Sequence, residues 1–152
     1  MDPLSITAST VALVGLCVKL SNGLQKLVDL SSIPEDIASL VEELKDLQNV
    51  LTAVCVVTQQ RASVKGIREA SDELKALLTK AGVTFNTIAN YCGIPIHSKQ
   101  GQGFETSFEN PPNLDLLSRF RWLKDRKKIE LYRRRLEVVR LDIANHLSSL
   151  SL

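Results

Sequence analysis

From Pro3 to Val18 the chain carries no charged residue, a run of 16. At about 100° per residue on a helix, Val11, Leu13, Val14, Leu16 and Val18 point in nearly all directions, so this half of the first helix is apolar all round. Beyond Lys19 the pattern narrows to one stripe, Leu20, Leu24, Leu27 and Leu30, and the helix becomes amphipathic. Its start is marked by Asp2, whose carboxylate can accept from free amides, and by Pro3, whose missing N–H suits the first helical position. Ser31 and Ser32 end it.

Ser32-Ile33-Pro34-Glu35 has capping-box spacing and predicts the start of a second helix running to about Gln60. Along it Ile37, Leu40, Leu44, Leu47, Leu51 and Val54 alternate in steps of three and four, the seam of a bundle or coiled-coil helix. Glu35-Asp36 and Glu42-Glu43 fall on the polar side, where solvated carboxylates are expected. A third helix carries Ile67, Leu74, Leu77, Leu78, Ala81, Phe85 and Ile88 and ends near Cys92-Gly93. Either Ser63 or Ser71 can cap its start, with Gly66 between them. Residues 93–112 hold three of the seven glycines and three of the five prolines, and form the one long irregular stretch.

Asn113 then caps a last helical region with the stripe Leu116, Phe120 and Leu123. The stripe resumes at Ile129, Tyr132, Leu136, Val139, Ile143, Leu147 and Leu150. Lys124-Asp125-Arg126-Lys127-Lys128 interrupts it, which predicts a bend or short break and a fifth segment. The sum is an all-α, four-helix antiparallel bundle forming a single domain over residues 1–152. Composition agrees: of 152 residues 44% are hydrophobic and only 5% aromatic, which favours packed helices over a β-sandwich.

Charge changes the picture. Net charge is only +2, yet residues 113–152 hold 10 Lys and Arg against 5 Asp and Glu. Ten of these bases lie between Arg119 and Arg140. Three readings stay open: a solvated helix surface, a surface for anionic lipid headgroups, and nucleic-acid binding. The last is the weakest, because no aromatics interleave for base stacking and no helix-turn-helix signal appears.

Candidate chemistry is sparse. Cys17, Cys55 and Cys92 are odd in number, widely spaced and without a CxxC pair, which predicts small core residues in a reducing compartment. His97 sits in the irregular stretch; His146 follows Asp142 by four residues and can pair with it on a helix face. Gly101-Gln102-Gly103 is a fragment of a phosphate loop without the Lys-Ser/Thr that would complete it. The sequence therefore predicts no enzyme, no metal site and no cofactor. The N-terminal run fails as a secretory signal, since its leading charge is Asp2, and it falls short of the roughly 20 apolar residues of a constitutive transmembrane helix. A central helix buried in the bundle and a helix that enters the bilayer only after assembly both fit it.

The opening Met1-Asp2-Pro3-Leu4-Ser5-Ile6-Thr7-Ala8-Ser9 with its apolar run resembles the N-terminal domain of fungal STAND proteins, NLR-like receptors with NACHT or NB-ARC cores. So does the close, Phe120-Arg121-Trp122-Leu123-Lys124 through Ile129 and Leu136 to Asn145-His146-Leu147-Ser148-Ser149-Leu150-Ser151-Leu152. This HeLo-like family is related to the prion-controlled HeLo toxin domain and is compared with the four-helix bundle of necroptosis executioners. The resemblance covers essentially the whole chain. It implies a cytoplasmic cell-death effector that relocates to the plasma membrane when a controlling receptor or amyloid-motif domain clusters it. By position, Leu4, Ile6, Val11, Leu13, Val14, Leu16 and Val18 would enter lipid. Arg121, Lys124, Arg126, Lys127, Lys128, Arg133, Arg134 and Arg135 would hold anionic headgroups. The alternative is a homotypic oligomerisation or adaptor module that signals through helix–helix contacts and never touches lipid.

Overall fold

The computed structural model describes residues 3–31, 33–60, 66–95 and 125–151, and those residues form four α-helices with no strand among them. They are α1 (Pro3–Leu27), α2 (Pro34–Gln60), α3 (Gly66–Cys92) and α4 (Arg126–Ser151), with a 3-10 turn at Val28–Leu30 after α1. The fold is an all-α four-helix bundle.

Helix α1 packs against α2 and α3, and α4 packs against the same two, so α1 and α4 occupy one diagonal and α2 and α3 the other. Thr7 meets Thr58 and Cys17 meets Leu44, so α1 and α2 are antiparallel. Tyr91 meets Tyr132 and Glu73 meets His146, so α3 and α4 are antiparallel as well. By contrast α1 runs parallel to α3, with Leu13 beside Gly82 and Gly23 beside Ile94. Helix α2 likewise runs parallel to α4. Successive helices reverse direction, but the passage from α2 to α3 crosses the bundle's diagonal.

All six residues of the α2 seam, Ile37, Leu40, Leu44, Leu47, Leu51 and Val54, are fully buried. Each stabilises the fold by about 1.5–3 kcal/mol in transfer terms, an upper bound because the unfolded chain already hides part of that surface. Leu74, Leu78, Ala81, Phe85 and Ile88 of α3 and Ile129, Tyr132, Leu136, Val139 and Ile143 of α4 close the same core. From α1 come Ile6, Leu13, Cys17, Leu20 and Leu24, so the helix that reads as apolar all round is anchored along one face only. Its other face, Ala8, Ser9, Val11, Ala12 and Gly15, is exposed.

Several local expectations need correction. Helix α2 starts one residue later than the capping box implies. The Ile33 carbonyl accepts the N–H groups of Asp36 and Ile37, and Pro34 is the first helical residue. Ser31 supplies the cap, its hydroxyl accepting from the Ile33 N–H at 2.9 Å, while Ser32 lies outside the described residues. Helix α3 is already helical at Ser71, so Ser71 does not cap it; Ser63 lies outside the described residues. The break before Ile129 is an N-terminus: Asp125 accepts the Lys128 N–H on its carboxylate and the Ile129 N–H on its carbonyl. Asn113, Leu116, Phe120, Leu123 and most of the 93–112 stretch, with His97 and Gly101–Gly103, lie outside the described residues. At the end of α3, Gly93 adopts a φ of 68°, and Ile94 donates back to the Ala89 carbonyl at 2.9 Å. That turn lays Ile94 against Gly23 of α1.

Candidate functional site

Helix α4 presents its bases on two flanks, because an apolar stripe about 100° wide on its inner side pushes every charged residue outward. On the flank towards α2, Arg126 pairs with Asp36 at 2.6 Å, and Arg140 pairs with Glu43. Glu43 is only 7% exposed, and Asp36 is half-buried, which corrects the expectation that these carboxylates are solvated. A base from α4 draws each of them into a helix–helix contact. The hydrogen bond that Arg140 donates to Glu43 holds its guanidinium above its ordinary pKa.

Within α4, Arg133 grips Glu130 through Nε and a terminal nitrogen at 3.0 and 2.8 Å, and Arg134 reaches the same carboxylate at 2.9 Å. Those three hydrogen bonds, the ones from Arg133 foremost, hold the Glu130 carboxyl down at about 2. Arg133 and Arg134 are therefore partly neutralised in place. At the N-terminal end of α4, Lys128 stands 5.7 Å from the Tyr91 ring centre and 5.6 Å from that of Tyr132. Arg135 lies 5.8 Å over the Tyr132 ring. The two tyrosines meet edge-on at 5.3 Å, and the Tyr91 hydroxyl donates to Asp125 at 2.9 Å. Burial, followed by the neighbouring Asp125, pushes the Tyr91 hydroxyl well above its ordinary pKa.

Of the eight bases expected to hold headgroups, Arg121 and Lys124 lie outside the described residues. Arg126 and Arg133 are committed to carboxylates and exposed Arg134 engages Glu130 through Nε alone, while among the described residues no carboxylate pairs with Lys127, Lys128 or Arg135. The basic surface is thus narrower than the sequence suggests, and it centres on the first turns of α4.

Of the expected inserting residues, Ile6 and Leu13 are buried, and Val14, Leu16 and Val18 are half-buried. Val11 is 57% exposed, and the side chain of Leu4 lies outside the described residues. The segment Ile6–Leu27, 22 residues with a mean hydropathy of 1.3, is long and apolar enough to cross a membrane, a test that a soluble core helix also passes. Two polar contacts tie α1 to α2: the Thr7–Thr58 hydroxyl pair at 2.8 Å and the Cys17 thiol donating to the Leu44 carbonyl at 3.0 Å. Towards α3 the fit is looser. There Ile6, Ala12 and Leu13 face Lys75, Leu78 and Gly82 across an open groove of about 290 Å³.

For reaction chemistry the described residues offer little. Burial pushes the Cys17 and Cys92 thiols up to about 12, so neither is a nucleophile near neutral pH, and half-buried Cys55 is also raised. His146 does not pair with Asp142; its Nδ1 lies 3.3 Å from Glu73 on α3, a tie between helices. Among the described residues no three His, Cys, Asp or Glu side chains converge on a metal-sized space.

One feature escaped the sequence pattern. Val83 on α3 and Leu131 and Val138 on α4 lie side by side at the surface, bordered by Lys80, Arg134 and Arg135. The spacing of seven between Leu131 and Val138 is visible in the sequence, but the α3 partner is not. No protein-family model matches the chain, and neither does any curated protein or solved structure.

Proposed function

We propose that this bundle is a membrane-targeting effector domain of the cell-death type, acting by physical insertion rather than catalysis. The basic surface of α4 adheres to anionic headgroups, clustering raises the local concentration of bundles, and α1 leaves its corner to enter lipid. The observation that carries this reading is α1 itself. Its Ile6–Leu27 segment has membrane-spanning length and hydropathy, yet it is held along one face and exposes uncharged Ala8, Ser9, Val11, Ala12 and Gly15 on the other. Detaching α1 removes its contacts with α2 and α3 while leaving the α2–α4 and α3–α4 contacts intact. The resemblance of both chain ends to HeLo-like domains of fungal STAND proteins supports the same function. It also supports a resting location in the cytoplasm and a controlling receptor or amyloid-motif domain as partner.

A second reading, a homotypic adaptor that signals through helix–helix contacts, draws support from the exposed aliphatic residues Val56 and Leu141, which a second copy could cover. Dye release from liposomes with and without anionic lipid separates the two. The intact chain is compared with Val11→Glu, which alters an exposed position of α1, and with the charge reversal K127E/K128E. Effector action predicts leakage that requires anionic lipid, is abolished by V11E and is weakened several-fold by K127E/K128E. A folded, artificially clustered chain that neither binds nor permeabilises such vesicles is an adaptor instead.

A further inference from the structure

We propose that the groove between α3 and α4 is a binding site for one anionic phospholipid, its phosphate held by Lys80, Arg134 and Arg135 and its acyl chain laid over Val83, Leu131 and Val138. The inference rests on the lipid-binding reading above and specifies where and how a lipid is held. The groove has a volume of about 410 Å³, within the roughly 300–1,000 Å³ typical of small-molecule sites.

Its chemistry is one-sided. Val83, Leu131 and Val138 are 59%, 41% and 49% exposed, a high exposure for aliphatic side chains set next to one another. The polar atom in their midst is already occupied, for the Thr84 hydroxyl donates to the Lys80 carbonyl at 2.8 Å. The floor therefore suits hydrocarbon rather than a hydrogen-bonding ligand. Every charged residue lining the groove is a base, and none is an acid. Two of the three are held in place, Arg134 by Glu130 at 2.9 Å and Arg135 over the Tyr132 ring at 5.8 Å. Among the described residues Lys80 has no carboxylate in salt-bridge range.

Three bases around one apolar floor match a single compact, multiply charged phosphate joined to a chain. An acidic amphipathic helix fits less well, because its carboxylates are spread a turn apart, about 5.4 Å, while Arg134 and Arg135 fall between Leu131 and Val138 on one helix. The site also lies off α1, which shares no side of the bundle with α4. A lipid held there leaves α1 free to move.

The test uses the full chain and lysophosphatidic acid below its micellar concentration, followed through the methyl NMR signals of Val83, Leu131 and Val138. Saturable shifts at those methyls are expected, with at least tenfold weaker binding of glycerol 3-phosphate and of zwitterionic lysophosphatidylcholine. V83S/V138S, at two exposed positions, is expected to lose at least tenfold in affinity, as is K80E/R135E. Equal binding of glycerol 3-phosphate overturns the acyl-chain role. Methyl shifts produced by an acidic amphipathic peptide, or by raising protein concentration, with none from the lipid, assign the groove to a helix or to a second copy and overturn the proposal. Flotation with anionic vesicles separates the two levels. If wild type floats and V83S/V138S floats equally well, the groove assignment alone falls. If wild type does not float, the lipid-binding reading falls and the groove assignment falls with it.

Discussion

Thr7 of α1 and Thr58 of α2, 51 positions apart, meet hydroxyl to hydroxyl at 2.8 Å in the buried seam between their helices. Either hydroxyl can be the donor in that pair, and the Thr58 hydroxyl also lies 2.9 Å from the Val54 carbonyl of its own helix. Replacing Thr58 by isosteric valine removes that interhelical hydrogen bond from a buried seam, at a cost of about 1 kcal/mol. In urea the unfolding midpoint of T58V should fall with the slope unchanged. If α1 leaves the bundle to act, T58V should also permeabilise anionic vesicles at lower protein concentration than wild type. A destabilised variant with an unaltered leakage threshold would separate this contact from activation.

Gly23 is a packing requirement, since a Cβ there would lie 2.8 Å from the branched Cγ2 of Ile94. In a free helix, glycine to alanine gains about 1 kcal/mol. Here G23A should instead destabilise, because Ile94 must be displaced. Once Ile94 is truncated, the propensity gain should reappear, with G23A/I94A more stable than I94A by about 1 kcal/mol. A double-mutant cycle on thermal unfolding reads this sign change directly.

The Glu43–Arg140 pair joins α2 to α4, with the carboxylate side chain 8% exposed and the guanidinium 24%. Removing one partner strands the other, so E43A should cost about 2–3 kcal/mol, reduced from the fully buried case because Arg140 still reaches water. The apolar double replacement E43L/R140M should recover most of that loss, as measured by denaturant unfolding. Additive losses would show that the two residues stabilise the fold independently of each other.

Glu130 carries a pH-dependent contribution and a functional one. Its folded-state pKa is lowered from an ordinary 4.5 to about 2 by Arg133 and Arg134. The stability it provides is therefore present above about pH 4.5 and is lost as pH falls towards 2. E130Q should abolish that acid-side slope, and because the pair faces solvent the effect should shrink with added salt. The same substitution releases two guanidiniums and adds one unit of positive charge. At about 1 kcal/mol per charge near an anionic bilayer, vesicle partitioning of E130Q at neutral pH should rise about fivefold.

Apolar periodicity carried most of the fold. The α2 seam is buried at all six predicted positions, and the α4 stripe from Ile129 to Ile143 holds throughout. A stripe reports which side of a helix faces inward, and that suffices for a bundle. It does not report which helix a polar residue meets, which is why Glu43 and Asp36 read as solvated and His146 was matched to Asp142 instead of Glu73. Asp125 was missed as a cap because the bases around it masked its position, whereas its carbonyl and carboxylate define the start of α4. For the candidate site, the basic character of α4 was legible, but its partial neutralisation by Glu130 and Asp36 depended on rotamers and on a neighbour 90 residues away. The α3–α4 groove was not legible at all, since Val83 gains meaning only beside Leu131 and Val138.

The diagonal passage from α2 to α3 also sets an order of assembly. Helix α1 can fold back on α2 as soon as both are synthesised, whereas the ties from α2 to α4 join residues 90 and 97 positions apart. Loop-closure entropy delays such distant pairings, so α4 is the last wall to arrive, and until then one flank of the α2 leucine seam stays wet. During translation the most lipophilic helix is thus sheltered first by its nearest neighbour, and a nascent chain stalled before residue 125 would present the uncovered apolar faces of α2 and α3 to whatever chaperone or membrane lies nearby.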